Sequence, residues 1–239
     1  MLVSRRHNVA FAHYPKTAGT SLHRWFVETF PDATLVDPGI PHLSVEAGLH
    51  RLRPARWRRG AIHLRDRSLS LFVPGGADAR RSFPHSLRII GVLRDPLEMM
   101  ASLFDYYRNS VYDAEPEDAF TRCAYKGDFR DFVSAAVIGG RLMPYDRFFD
   151  VGGPCWANTL LVDFYSLGSG LEAVCDELGV ANRHPLPWLN RLPSARPALE
   201  RYREEARPLL PEVHRHFRWY YEQGIHLTLG GGRQARRAA

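Results

Sequence analysis

Lysine is almost absent from this chain of 239 residues. Of the 32 lysines and arginines, only Lys16 and Lys126 are lysine. Arginine serves at nearly every other basic position. A lysine kept inside a turn of small and hydroxyl-bearing residues is therefore informative, because a compact, mobile ammonium differs chemically from a planar guanidinium. Cysteine is scarce too. Cys123, Cys155 and Cys175 are odd in number, widely spaced and free of any C-x-x-C pair. They do not make a disulfide framework, and buried free thiols of a reducing compartment are expected. No apolar run is long enough to span a membrane. The opening "MLVSRRHNVAF" leaves no room for a leader before the first strand, so a cytoplasmic location is expected.

What is present suits one soluble α/β domain with a sizeable core. Hydrophobic residues make up 45% and charged residues 24%, both ordinary for a globular chain. The formal net charge is +6, and three arginines of the tail "GGGRQARRAA" (230–239) supply half of it. That tail is expected to be disordered, with a single domain over 1–229. The basic excess is thus a poor argument for nucleic-acid binding.

Along the chain, "NVAFAHY" (8–14) reads as a buried strand. From Thr20, Leu22, Trp25, Phe26 and Phe30 recur at helical spacing until Pro31 stops them. "ATLVD" (33–37) and "AIHLR" (61–65) read as short strands, with a helix and then a basic stretch between them. "SLRIIGVLR" (86–94) is the clearest strand and runs into a helix with the stripe Leu97, Met100, Phe104 and Tyr107, opened by Pro96. Residues 108–158 are aromatic-rich, with short helices and loops, and 104–158 reads as an insertion on the acceptor side. "TLLVDFY" (159–165) is another strand, and a helix over 169–180 closes at Gly179. A proline-rich loop precedes a last helical region, 198–223, interrupted at Pro208 and Pro211. Alternating strands and helices predict a three-layer α/β fold with a mainly parallel central sheet. Ligands of such sheets bind beyond the carboxyl ends of the strands, where the turns at 14–21 and 94–96 fall.

The turn "YPKTAGTS" (14–21) leads into a helix N-terminus, with its free N–H groups and positive dipole end. Gly19 allows close approach, Thr17, Thr20 and Ser21 add hydroxyls, and Lys16 adds a full charge. Such a site fits a phosphate or sulfate. The alternative is a helix simply capped by Thr20 or Ser21. It is not a Walker A loop, because Lys16 precedes the turn and no glycine precedes Lys16 within it.

The order "PKTAGTS" resembles the 5′-phosphosulfate loop of sulfotransferases that use 3′-phosphoadenosine 5′-phosphosulfate (PAPS), in the version of the carbohydrate-type branch that includes heparan and chondroitin sulfotransferases. A second stretch, "IIGVLRDPLEMMAS" (89–102), is similar to that family's 3′-phosphate motif, with Arg94 and Ser102 in the phosphate-binding places. The resemblance implies a nucleotide-kinase-like fold of the P-loop type, PAPS as donor and the desulfated nucleotide PAP as product, without a metal. It places Lys16, Thr17, Ala18, Gly19, Thr20 and Ser21 on the 5′ end of the nucleotide and Arg94 and Ser102 on the 3′ end. Lys16 would act catalytically as well. The family's frequent second arginine, in "RDPxxR", is replaced here by Met99. "DFYSLGSGLEAVCDELGV" (163–180) resembles the family's late strand and helix but lacks the acidic residue usual directly after that strand.

"GAIHLR" (60–65) resembles the strand on which many sulfotransferases present a catalytic histidine, which makes His63 the candidate base. Asp66, Asp105 and Glu98 are the reserves. "LPWLNRLPSARP" (186–197) resembles the loop that closes over the nucleotide, with Arg191 and Arg196 as candidate 3′-phosphate ligands. The stretch "RLRPARWRRG" (51–60) is either a solvated basic face or, through Arg53, Arg56, Arg58 and Arg59, a border that favours an anionic acceptor. Two histidines in "HRH" (214–216) point to different faces of a helix and make a poor metal site. The expectation is sulfuryl transfer from PAPS to a hydroxyl on a carbohydrate or other small metabolite. The alternatives are a small-molecule kinase of the P-loop type and a non-catalytic PAP-binding protein.

Overall fold

The computed structural model describes residues 1–40, 42–52, 87–110, 118–182, 184–187 and 195–229. Six strands form one mixed sheet in the order β3-β1-β2-β4-β5-β6. They are β1 (Leu2–Ser4), β2 (Val9–Phe11), β3 (Thr34–Leu35), β4 (Arg88–Leu93), β5 (Thr159–Asp163) and β6 (Thr228–Leu229). β2, β4, β5 and β6 pair in parallel, while β1 runs antiparallel to both of its neighbours. The expected α/β class with a mostly parallel sheet is therefore present. β1 and β6 are additions that the sequence reading did not include. The expected strand over 61–65 lies outside the described residues, as does the tail from 230.

The helices are α1 (Gly19–Thr29), α2 (Val45–Leu52), α3 (Pro96–Asn109), α4 (Ala119–Lys126), α5 (Phe129–Val137), α6 (Tyr145–Phe148), α7 (Leu167–Leu178), α8 (Ala195–Ala206), α9 (Leu210–His216) and α10 (Arg218–Glu222). Several have a clear local cause. Asp95 caps α3 by accepting hydrogen bonds from the amides of Leu97 and Glu98, with Pro96 in the first turn. Asp118 and Asp128 cap α4 and α5 in the same way. Gly179, at φ 65°, closes α7 in the left-handed conformation that a side chain would resist.

Alternation along the strands sends side chains to two buried faces. On one, Phe11, Ile90, Val92 and Val162 meet Trp25 and Phe26 of α1 and Leu171 and Val174 of α7. On the other, Ala10, Ile89, Leu93 and Leu161 meet Met100 and Phe104 of α3 and the aromatic helices that follow it. Phe104 contacts Phe129, Phe132 and Tyr202 at ring-centroid distances of 5.5, 5.5 and 5.6 Å. The described part of the 104–158 stretch is thus a working half of the core. The arrangement has one consequence for ligand binding. The helix after β2 goes to one face and the helix after the adjacent β4 goes to the other. A crevice opens at such a point, beyond the carboxyl ends of the two strands.

Gly91 of β4 packs directly under an aromatic ring. A Cβ there would lie 2.3 Å from Cε1 of Phe149, which is fully buried and cannot swing away. Gly91→Ala is expected to destabilise the fold by about 1–3 kcal/mol through overpacking, measured as a lower urea midpoint at unchanged m-value.

Candidate functional site

The loop between β2 and α1 is tied to its neighbour strand. Ala12 donates its N–H to the Ile90 carbonyl at 2.9 Å, extending the parallel register past Phe11. Beyond it the chain turns sharply. Lys16 and Ala18 both adopt left-handed backbone, at φ 59° and 61°, which costs about 1–3 kcal/mol each for a residue with a Cβ. Thr17 pins the turn between them. Its buried hydroxyl donates to the Tyr14 carbonyl at 2.9 Å. Thr17 therefore builds the loop from within, and that hydroxyl proton is not aimed outward.

Helix α1 then begins at Gly19 with Ala18 in the N-cap place. No side chain caps it, and its first turn holds no acidic residue. Thr20 is exposed and Ser21 is buried, and neither acts as the cap that the sequence left open. An uncapped helix start presents backbone N–H groups and the positive end of the dipole. Gly19 is required for a different reason than ligand approach alone. A Cβ on it would fall 1.5 Å from Nε2 of His13. That ring is held between Phe11, at 5.9 Å, and His42, at 4.3 Å between centroids.

Arg94, at the end of β4, joins the second motif to the first. Its Nη1 donates to the Lys16 carbonyl at 3.0 Å, and its guanidinium stacks over Phe164 at 4.3 Å. Its Nε is buried without a hydrogen-bond partner among the described residues. The Arg94 carbonyl accepts from the Tyr145 hydroxyl at 2.8 Å, which fixes the strand end from the other side. The Lys16 ammonium lies 4.4 Å from the centre of the Tyr106 ring and makes no ion pair among the described residues. Desolvation and then the charge of Arg94 lower its pKa, against the pull of Asp105. Two neighbouring cations with no ion pair among the described residues, an orphaned guanidinium N–H and an uncapped helix form one electropositive corner. Such a corner can take an anion such as phosphate or sulfate.

Ser102 is half-buried on α3, one turn before Tyr106 and therefore on the same helical face. The contact of Lys16 with the Tyr106 ring sets Lys16 against the face of α3 that also carries Ser102. That face also carries carboxylates. Glu98 accepts a short hydrogen bond from the Tyr165 hydroxyl and pairs with Arg203 at 3.5 Å. Asp105 accepts from the Tyr202 hydroxyl. Of the three expected reserve bases, Glu98 and Asp105 are thereby engaged in contacts between elements. His63, Asp66, Arg191 and the basic stretch from Arg53 to Arg59 lie outside the described residues, and only the helical backbone of Arg196 is described. Among the described residues no cluster of His, Cys, Asp or Glu could hold a metal ion. No described helix is long and apolar enough to cross a membrane.

Four residues of the corner carried no motif signal. Tyr106, Phe164 and Tyr145 matter only through contacts made after folding. His13 sits at the end of an apolar strand, where a histidine reads as a boundary residue. Burial, then His42, the N-terminal amine, His23 and Lys16 lower its pKa from 6.5 to about 3. Its unfolded-state value is higher, so between about pH 6.5 and 3 the unfolded chain binds the extra proton. The neutral ring thus favours folding fully above pH 6.5, and that stability is lost as pH falls toward 3. A slope of up to about 1.4 kcal/mol per pH unit is expected from this one group in urea titrations, and His13→Asn should flatten it. Comparison with protein-family models, with curated proteins and with solved structures gives no match for this chain.

Proposed function

We propose that the protein is a PAPS-dependent sulfotransferase of nucleotide-kinase-like fold, moving a sulfuryl group from PAPS to an acceptor hydroxyl. The observation that carries the reading is the hydrogen bond from Arg94 to the Lys16 carbonyl. It sets the two sequence motifs side by side at neighbouring parallel strand ends, as one nucleotide with phosphates at both its 3′ and 5′ positions requires. In this reading the N-terminus of α1 and Lys16 receive the 5′-phosphosulfate. Arg94, through its unpartnered Nε, and Ser102 receive the 3′-phosphate. An anion between Lys16 and Arg94 offsets their mutual repulsion.

The acceptor oxygen attacks sulfur while the bond from sulfur to the 5′-phosphate oxygen breaks, and negative charge grows on that oxygen, as in loose phosphoryl transfer. Lys16 neutralises the growing charge together with the loop amides. A lysine suits this task because its ammonium can leave the Tyr106 ring and follow the charge, which a guanidinium clamped by two partners cannot do. No metal has a part in this scheme. The acceptor base expected from the sequence is His63, with Asp66 the next candidate.

Two measurements test the reading. PAP at about 100 times its dissociation constant should add roughly 2.7 kcal/mol of stability, a melting shift of about 5–10 °C for a chain of this size. ATP should add little, and equal shifts from both would favour a kinase instead. The second compares variants at saturating PAPS. Lys16→Ala should lower turnover by about two orders of magnitude or more. Arg94→Ala should mainly weaken PAP binding, by roughly 1.5–3 kcal/mol, read by calorimetry. Normal turnover in Lys16→Ala would overturn its role.

A further inference from the structure

Away from the Lys16 corner, a cavity of about 410 Å³ opens where α3, α5 and α8 meet. That lies within the roughly 300–1,000 Å³ usual for small-molecule sites. Asp105, Arg108 and Asn109 line it from the last turn of α3, Asp128 from the turn before α5, and Arg201 and Glu205 from α8. Beneath it, the rings of Phe104, Phe129 and Tyr202 rivet the three helices together. Tyr202 lies 4.6 Å from Phe129 and 5.6 Å from Phe104 between centroids. A cavity framed on packed rings is formed before a ligand arrives, so little binding energy goes into ordering it. It is also separate from the anion corner. At 3.6 residues per turn, Asp105 and Arg108 stand roughly a third of a turn round α3 from Ser102 and from Tyr106, the ring that Lys16 covers.

Charge decides what such a cavity can hold. Three carboxylates, Asp105, Asp128 and Glu205, face two guanidiniums, Arg108 and Arg201, which leaves one negative charge in the lining. Each carboxylate is engaged through one oxygen. Asp105 Oδ1 accepts from the Tyr202 hydroxyl, Asp128 Oδ1 accepts from the Asp131 N–H at 2.8 Å, and Glu205 Oε1 pairs with Arg201 Nε at 3.4 Å. The second oxygen of each has no partner among the described residues. Arg108 makes no ion pair among the described residues, and its guanidinium only lies over the Phe104 ring at 5.7 Å. A phosphate or sulfate would meet three carboxylates around one unspent cation. A plain diamine would lie against Arg108. A ligand with one carboxylate and two ammonium groups satisfies both halves of the lining.

We propose that this cavity binds a basic α-amino acid of the lysine and ornithine class. Arg108 and the Asn109 amide hold its carboxylate, and the free oxygens of Asp105, Asp128 and Glu205 receive its two ammonium groups. The guanidinium fork matches a carboxylate through two parallel hydrogen bonds, a geometry that a lone ammonium could not supply. Amino-acid binding here is independent of the sulfotransferase reading, because no residue of the cavity belongs to either nucleotide motif.

The test titrates the full chain by calorimetry with three probes. They are L-lysine, cadaverine, which is lysine without its carboxylate, and 6-aminohexanoate, which is lysine without its α-amine. L-Lysine should bind about tenfold or more tightly than either fragment, since each fragment gives up a charge-assisted contact. In NMR spectra L-lysine should shift the amide signal of Gly127, which lines the cavity, and not that of Gly19 at the start of α1. Arg108→Gln should weaken L-lysine by about 10–100-fold and leave cadaverine unchanged. Asp128→Asn keeps a side-chain oxygen to cap α5 and removes the charge. It should weaken L-lysine by about tenfold. Both positions are exposed, so the urea midpoint of each variant should match the parent and report an intact fold. Any of four results would overturn the proposal: no heat and no Gly127 shift at millimolar L-lysine, cadaverine as tight as L-lysine, full L-lysine affinity in Arg108→Gln, or displacement of L-lysine by PAP. The last would put the amino acid at the Lys16 corner. A PAP melting shift without L-lysine binding would strike this proposal and leave the sulfotransferase reading standing, and the reverse pair of results would do the opposite.

Discussion

The site depends on one hydrogen bond, from Arg94 Nη1 to the Lys16 carbonyl. It crosses between two strands that are neighbours in space and far apart in sequence. Through it, the left-handed backbone of Lys16 is held from outside the loop, while the Thr17 hydroxyl holds it from inside. The same bond sets two positive side chains close together, which nothing in the described structure neutralises fully. Among the described residues neither side chain is in an ion pair, which suits the corner to the anion proposed above. Tyr145 and Phe164 complete the clasp by fixing the carbonyl and the flat face of Arg94.

Much of the fold was legible because its elements have strong periods. The stripe Leu97, Met100 and Phe104 is buried as the helical spacing requires, with Tyr107 packed at its edge. Gly179 ends its helix where a left-handed residue was expected. β1 and β6 were not legible, because three or two residues cannot display an alternation, and their pairing depends on neighbours distant in sequence. The antiparallel placement of β1 has the same origin. It follows from a tight turn at Asn8, at φ 52°, rather than from any pattern in "LVS".

The site was legible in part. Lys16 and Arg94 could be paired beforehand because short polar turns after buried strands are where such sheets bind ligands. The work of Thr17 could not be read in advance. A hydroxyl in a turn has the same sequence signature whether it faces a ligand or its own backbone. Nor could His42 be singled out. Its contacts with the carbonyl and ring of His13 form only in three dimensions. The order in which a chain meets itself hides such residues from any pattern local in sequence.

The left-handed turn at Lys16 and Ala18 has a kinetic consequence. The awkward backbone is assembled once, when the domain folds, and is braced before any ligand arrives. Encounter with an anion then needs little rearrangement of the loop. Association can approach the speed set by diffusion and by electrostatic steering toward a positive corner. In the proposed reading, discrimination among nucleotides falls instead to how long each stays, and so to the spacing between the start of α1 and the Arg94 guanidinium. In that reading the loop acts as a gauge rather than a latch: it measures the distance between a ligand's negative groups and releases those that do not span it.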